Sequence, residues 1–235
     1  MTRTAVVAGV GPGLGESIAR KFASEGCEVA LLARSAEYIE GLADDLPASG
    51  TGLAVPTDLA QPAEIRAAFE TVREAFGPVD VLVNHASAGS WNGLLDASVE
   101  DVDRAWAVNG RGAFVASQEA AEDMVEGEGG TIVFTGATSA LRGRDGAIGF
   151  SAAKFAARGM AESMARELGP EGVHVAHVVI DGQILPPDGS ERDRDRDEGA
   201  YLDPDEIADN YWHLVEQDRS AWTLELDLRP HVEAF

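Results

Sequence analysis

Three glycines near the start of the chain have a spacing that suits phosphate binding. Gly9, Gly13 and Gly15 form a Gly-x-x-x-Gly-x-Gly pattern between a short β-branched run and a helical pattern. A glycine turn that joins a strand to a helix lets the backbone approach a pyrophosphate, and it directs free N–H groups and the helix dipole at it. A tight turn that needs positive φ is the alternative. The position after the first strand favours phosphate binding.

The residue after the second predicted strand indicates which dinucleotide would bind. An acid about 20 residues beyond the glycine loop accepts a hydrogen bond from the 2′-hydroxyl of the adenosine ribose of NAD. Here the strand runs into Arg34, and the nearest following acid is Glu37. An arginine fork can hold a 2′-phosphate. Arg34 therefore favours NADP, with NAD as the alternative, and a surface arginine at a helix start is the other interpretation.

Alternating strand and helix patterns must position these residues. Short β-branched runs predict strands at Thr4–Ala8, Glu28–Ala33, Gly52–Pro56, Val79–Asn84, Thr131–Thr135, Val173–Ile180 and Thr223–Leu228. Amphipathic stretches predict helices at Leu14–Glu25, Ala36–Asp45, Pro62–Phe76, Val99–Val125, Phe150–Leu168 and Pro204–Glu216. This alternation is typical of an α/β protein with a parallel sheet covered by helices. We expect one domain over residues 1–235, since doubly wound folds reach this size undivided.

Residues 186–206 are expected to form an acidic, mobile loop or lid within that domain. The segment begins with two prolines, continues with alternating arginine and aspartate from Arg192 to Asp197, and has almost no apolar content. Such a composition predicts a solvated loop. A lid over a site would have the same composition, so the two interpretations are compatible.

Further motifs, in their order along the chain, resemble those of the short-chain dehydrogenase/reductase family. The glycine spacing matches that of the family. The other motifs are Asp58-Leu59 after the third strand, Asn84-His85-Ala86-Ser87 after the fourth, Val108-Asn109-Gly110-Arg111-Gly112 in the long central helix, and Phe150-Ser151-Ala152-Ala153-Lys154 in the place of Tyr-x-x-x-Lys. The resemblance continues into the last strand and covers nearly the whole chain.

The resemblance implies a fold and a cofactor site. The fold would be a doubly wound, Rossmann-like sheet of seven parallel strands in the order 3-2-1-4-5-6-7, with helices on both faces. A nicotinamide cofactor would be held by Gly9, Gly13, Leu14, Gly15, Asp58, Leu59, Asn84, Ala86, Lys154 and Ile184, together with Arg34. The family usually associates through its long central helices, which implies a homodimer or homotetramer.

Two of the four catalytic side chains of the family are absent. In the family a tyrosine exchanges the substrate proton, a lysine lowers the pKa of that tyrosine, and a serine steadies the carbonyl oxygen. Phe150 occupies the tyrosine position and Ala137 the serine position, whereas Asn109 and Lys154 are kept. Thr138 and Ser139, just beyond Ala137, are candidates for the missing hydroxyl, and we take Ser139 as the catalytic candidate.

These departures leave two hypotheses for the function. The first is an NAD(P)(H)-dependent oxidoreductase with a non-standard active site and a small carbonyl or conjugated-alkene substrate. The dienoyl-CoA reductases are relatives that also lack the tyrosine and remain enzymes. The second is a catalytically inactive nicotinamide-nucleotide-binding protein with a regulatory or scaffold role, in which Lys154 serves only the nicotinamide ribose. Fold analogy favours the first hypothesis.

The charge balance restricts the partners. The chain has 41 acidic against 18 basic residues, for a formal net charge of −23. Such a surface repels nucleic acid and anionic membranes, so neither is expected as a partner. The composition resembles that of cytoplasmic proteins from salt-loving archaea, in which salt screens self-repulsion. An acidic protein kept soluble by its charge is the alternative.

Cysteine and histidine content add two expectations. Cys27 is the single cysteine, which suits a reducing cytoplasm and indicates a cytoplasmic location. No metal site is predicted, because His174 and His177 would point to opposite faces of one strand. His85 lies beside the expected nicotinamide position, where a packed histidine is the simpler interpretation.

One tryptophan is a candidate for the substrate pocket. Trp91 lies in the loop that follows the fourth predicted strand. An interface or packing tryptophan is at least as well supported by its position, so both interpretations stay open.

Overall fold

The computed structural model describes residues 2–47, 49–187 and 198–233. Its strands are β1 (Thr4–Ala8), β2 (Glu28–Ala33), β3 (Thr51–Pro56), β4 (Val81–Asn84), β5 (Gly130–Thr135), β6 (Val173–Ile180), β7 (Gln183–Ile184), β8 (Tyr201–Leu202) and β9 (Glu225–Leu228). Seven of them form one parallel sheet in the order β3-β2-β1-β4-β5-β6-β9, which confirms the predicted order. The seventh strand of the sheet is β9, because the short pair β7 and β8 intervenes in the chain.

Helices cover both faces of the sheet. They are α1 (Leu14–Ser24), α2 (Ala36–Asp44), α3 (Pro62–Phe76), α4 (Val99–Trp106), α5 (Ala113–Glu126), α6 (Ile148–Leu168) and α7 (Pro204–Val215). Successive strand residues point to opposite faces. Val7 of β1 accordingly belongs to the core under α1, α2 and α7, whereas Val6 belongs to the core under α3, α5 and α6. A sheet buried on both faces explains why its strands are nearly continuous apolar runs.

The long helix predicted from Val99 to Val125 is interrupted. Residues Ala107–Gly112 form a wider π-type turn that joins α4 to α5. The Asn109 side chain donates through Nδ2 to the Ala105 carbonyl oxygen at 2.9 Å, which is the acceptor that the Asn109 backbone N–H would use in a regular α-helix. Gly110 and Gly112 allow close contact there, since a Cβ at Gly112 would lie 2.1 Å from the Leu59 carbonyl oxygen. π-type turns of this kind are frequent at functional sites.

Both ends of the predicted loop at 186–206 have a described structure. A short turn at Glu198–Ala200 leads into β8, and α7 begins at Pro204 behind an Asp203 cap. Residues 188–197 lie outside the described residues, so the mobility of this segment stays a prediction. None of the helices in the described ranges is long and apolar enough to span a membrane.

Candidate active site

A cleft of about 1170 Å³ opens at the carboxyl ends of the central strands. It lies where the strand order reverses between β1 and β4, which is the position at which open parallel sheets bind ligands. Predicted site residues that line it are Gly9, Arg34, Asp58, Leu59, Ala86, Lys154 and Ile184. The volume exceeds that of a typical pocket for a drug-sized ligand, so an extended molecule fits.

The glycine loop combines close packing with open space. Gly9 has a φ of 111°, and a Cβ there would lie 2.3 Å from the Ala86 nitrogen, so the loop packs directly against the end of β4. A Cβ at Gly15 would lie 2.9 Å from the Gly9 carbonyl oxygen. In contrast, a Cβ at Gly11 would meet nothing within 4 Å, and one at Gly13 only Pro187 at 4.0 Å.

The start of α1 lies next to this open space over Gly11 and Gly13. No side chain caps its N-terminus at Gly13. The Glu16 N–H donates to the Gly11 carbonyl oxygen at 3.2 Å, whereas the N–H groups of Leu14 and Gly15 have no hydrogen bond within the described residues and are left for solvent or a ligand. The positive end of the helix dipole lies at the same place. The open space over Gly11 and Gly13 therefore fits a pyrophosphate. Leu14 contributes backbone only, because its side chain is buried in the core.

Two arginines line the cleft, and one of them, Arg34, lies at the end formed by β2. Arg34 follows β2 as predicted, and Arg104 on α4 lies one helical turn before Val108, which also lines the cleft. Within the described residues, neither guanidinium has a hydrogen bond or an ion pair. The sequence analysis missed Arg104. The signal that could have found it is the scarcity of basic residues in so acidic a chain.

Lys154 lies at the other end of the cleft, beside Phe150. Its Nζ donates to the Thr135 carbonyl oxygen at 2.9 Å and lies 5.6 Å from the centre of the Phe150 ring. Burial lowers the pKa of Lys154 to about 8, because desolvation disfavours the charged form. None of the described residues that line the cleft is a tyrosine.

Thr135 connects this end of the cleft to α7. Its hydroxyl is 3.2 Å from Nδ1 of His85, which lines the cleft, and 2.8 Å from the hydroxyl of Tyr211. Tyr211 is fully buried in the core, and burial raises its pKa. Burial and the nearby Lys154 charge lower the pKa of His85 to about 4, so this imidazole is neutral near pH 7. Tyr211 therefore supports the cleft from beneath and does not line it.

A small cavity of about 20 Å³ lies beneath the cleft. Its polar walls come from Asn84, Asn109, Thr135 and Lys154, and the volume has room for one water molecule. Asn84 donates to the Ser117 hydroxyl at 2.9 Å, which joins β4 to α5. Oδ1 of Asn109 is a buried acceptor without a hydrogen-bond partner among the described residues. The two asparagines thus lie behind the cleft rather than in its lining.

The hydroxyls beyond Ala137 do not face the cleft. Ala137 lines it, but Ser139 is 2% exposed and lines neither the cleft nor the small cavity. Thr138 donates to the carboxylate of the buried Asp181. Asp181 follows β6 and also pairs with Arg229 at 3.1 Å and Arg142 at 3.7 Å. The placement of Ser139 gives no support to the expectation that it supplies the missing hydroxyl.

A glycine loop under a strand-order reversal is the dinucleotide site of doubly wound proteins, and the chain is of that class. The model of the short chain dehydrogenase family matches residues 3–185. The chain therefore belongs to the short-chain dehydrogenase/reductase family of oxidoreductases.

Similar proteins span the same fold almost completely. D-threitol dehydrogenase of Mycolicibacterium smegmatis is 31% identical over 219 residues, which are 88% of this chain and 83% of the relative. An alcohol dehydrogenase from Thermococcus sibiricus, complexed with 5-hydroxy-NADP, superimposes with a TM-score of 0.87 at 26% identity, over 100% of this chain and 99% of the other. A 3-ketoacyl-(acyl-carrier-protein) reductase from Brucella melitensis, complexed with NADH, has a TM-score of 0.86 at 27% identity, over 97% of both chains.

Proposed function

We propose that the chain is an NADP-preferring oxidoreductase with a non-standard active site, acting on a small carbonyl or conjugated-alkene compound. The observation that carries the proposal is a cleft beside the glycine loop with Lys154 buried at one end, against the Thr135 carbonyl and beside Phe150. The structures complexed with 5-hydroxy-NADP and with NADH support a nicotinamide cofactor in this cleft.

Different parts of this chain would bind the cofactor and transfer the substrate proton. When bound, the nicotinamide supplies or accepts the hydride. The glycine loop and the start of α1 would hold the pyrophosphate. Lys154 would hold the ribose next to the nicotinamide and would carry the exchangeable proton at that end. With a pKa of about 8, the ammonium of Lys154 is a stronger acid than an ordinary lysine. The cavity lined by Lys154 and Asn109 has room for one water molecule, which would connect the Lys154 ammonium to the Asn109 side chain.

Oxidation of NADPH tests the proposal, with NADH in parallel, in multimolar KCl and with a panel of ketones, aldehydes and enones. Cofactor binding is followed by fluorescence in the same samples. Turnover with at least one class of substrate is expected. Cofactor binding without any turnover would instead favour the regulatory or scaffold role.

Arg34→Asp is expected to reverse the cofactor preference. The change removes the guanidinium that would pair with a 2′-phosphate and adds an acceptor for the 2′-hydroxyl of NAD. We expect NADPH affinity to fall by about 10- to 100-fold, since hydrogen bonds to charged groups contribute about 1.5–3 kcal/mol. Titration of both cofactors by fluorescence measures the ratio. Arg166→Asp, an exposed change on α6 with the same effect on net charge, is the control. An unchanged NADPH/NADH affinity ratio in Arg34→Asp would refute the assignment.

The excess of 41 acidic over 18 basic residues predicts stabilisation by salt. Screening reduces the self-repulsion of the folded state. We expect the thermal midpoint to rise by about 10 °C between dilute buffer and multimolar KCl, which corresponds to a few kcal/mol in a chain of this size. Calorimetry across a KCl series measures it. Equal midpoints at the two extremes would contradict the halophilic interpretation.

An apolar surface on the central helices supports self-association. Its exposed side chains are Val99, Val102, Trp106, Phe114, Ile148 and Phe155, on α4, α5 and α6. Apolar patches of this kind mark interaction sites. A homodimer or homotetramer built through these helices would cover them.

A further inference from the structure

A row of four side chains extends from Lys154 away from the cleft. The Phe150 ring, 5.6 Å from Lys154 Nζ, lies 5.6 Å from the Trp91 ring, centre to centre. The guanidinium carbon of Arg144 lies 5.1 Å from the centre of the Trp91 ring. Two aromatic rings thus lie between two cations. The first of these rings, Phe150, occupies the position at which the family has its catalytic tyrosine.

The aromatic part of this row is held firmly, yet one of its rings faces solvent. A Cβ at Gly89 would lie 2.8 Å from Cδ2 of Phe150, so the loop that carries Trp91 packs closely on that ring. Trp91 is nevertheless 65% exposed. A tryptophan ring is large and mainly apolar, and it contributes most when a partner covers it. Phe150 and Arg144 both contact the Trp91 ring, and the part of the ring that stays exposed is available to a flat ligand.

Arg144 is one of three described arginines whose guanidinium has no polar partner. Within the described residues, only Arg34, Arg104 and Arg144 have a guanidinium without a hydrogen bond or an ion pair. Two of them line the dinucleotide cleft. Arg144 lines a pocket of about 370 Å³ that shares Gly182 with that cleft, so the pocket adjoins its nicotinamide end.

The acids of this smaller pocket leave Arg144 available. They are Asp145, Asp181 and Glu233, and Asp181 is paired with Arg142 and Arg229. None of the three forms an ion pair with Arg144 within the described part of the chain. The guanidinium of Arg144, which lies over the Trp91 ring, can therefore pair with a ligand carboxylate in the fork geometry that suits it.

We propose that Phe150 and Trp91 bind a flat aromatic or conjugated group of the substrate, and that Arg144 binds a carboxylate on the same molecule. The inference rests on the proposed function, because it places the substrate beside the nicotinamide. Phenylalanine in place of tyrosine at position 150 then has a function of its own, because it continues the apolar surface of Trp91 toward Lys154. The substrate class is an aryl or conjugated carbonyl compound that carries a carboxylate at the end remote from the reacting group.

Two probes of nearly equal shape test the inference, 4-formylbenzoate and its neutral counterpart 4-formylbenzamide. Binding of each to the protein saturated with NADP⁺ is measured by calorimetry at one fixed KCl concentration. The wild-type complex is expected to bind the carboxylate about 10-fold more tightly, since a bidentate arginine contact is among the stronger hydrogen-bond pairs. Arg144→Gln should remove that preference and leave the affinity for the amide unchanged. Trp91→Ala should weaken the binding of both probes about equally.

Arg166→Gln, an exposed change near the end of α6, is the control and should alter neither affinity. Arg144 and Trp91 are exposed, so their variants are expected to fold, and circular dichroism checks this. Equal binding of the two probes by the wild type, binding of neither, or a preference that survives Arg144→Gln would overturn the proposal. Failure to bind NADP⁺ itself would count against the proposed function instead, so the two failures are distinguishable.

Discussion

Lys154→Met is expected to lower turnover of NADPH by about 10²- to 10⁴-fold, the range typical of a lost general acid or base. The substitution keeps most of the side-chain volume, while removing the hydrogen bond to the Thr135 carbonyl and the exchangeable proton beside Phe150. Steady-state kinetics on the best substrate of the panel measures kcat, and cofactor fluorescence measures binding separately. Lys21→Met is the matched control, because Lys21 is the other lysine of the chain and pairs with Glu25 and Asp209 on the surface.

The pH profile tests the same role of Lys154. Its pKa of about 8 predicts that reduction declines as the pH rises through that value, because the ammonium loses the proton it would give. Oxidation in the reverse direction should increase over the same interval, since the neutral amine accepts a proton. A profile with no inflection between pH 7 and 9, together with an active Lys154→Met variant, would exclude Lys154 from proton transfer.

Gly9→Ala is expected to destabilise the fold by about 3 kcal/mol or more. The new Cβ would lie 2.3 Å from the Ala86 nitrogen and 2.4 Å from its Cα, both of them backbone atoms that cannot rotate away. A non-glycine residue at a φ of 111° adds strain of its own, and overpacking a tight contact costs about 1–3 kcal/mol. Denaturant unfolding measures the change.

Gly11→Ala and Gly41→Ala are the controls for this prediction. A Cβ at either position would meet nothing within 4 Å. Gly11 lines the cleft, so its variant should fold normally but bind the pyrophosphate less tightly. Gly41 lies within α2, outside the glycine loop, and alanine there should stabilise the helix by up to about 1 kcal/mol. A Gly9→Ala protein as stable as the wild type would contradict the close packing of the loop on β4.

Regular elements could be predicted because their signals are local. The limits of β1, β2, β6 and α3 agree with the sequence analysis to the residue. The pair β7 and β8 was missed because a two-residue strand has no periodicity to detect. The π-type turn was missed because the apolar pattern continues across it. The run Asn109-Gly110-Arg111-Gly112, with two poor helix formers, was the available signal.

The candidate site could be predicted only in part, for a related reason. The glycine loop and Arg34 could be predicted from short-range spacing, and both lie at the cleft or at the open space over Gly11 and Gly13. The contacts of Asp181 with Arg142 and Arg229 join segments that are distant in the sequence, so no local pattern predicts them. Ser139 is close to Ala137 in sequence, but it is buried and does not line the cleft, so its predicted role has no support from its position. The orientation of a side chain after a strand depends on the turn that follows.

The distribution of charge has a kinetic consequence. The chain has a formal net charge of −23, while the cleft is lined by Arg34 and Arg104, which would attract an anionic dinucleotide. In dilute buffer the long-range field opposes the arrival of the cofactor, and the arginines act only after close approach. Screening shortens that field to about 10 Å at 0.1 M salt and about 3 Å at 1 M. The association rate constant for NADPH should therefore rise with salt, opposite to the trend for ligands steered by an attractive surface.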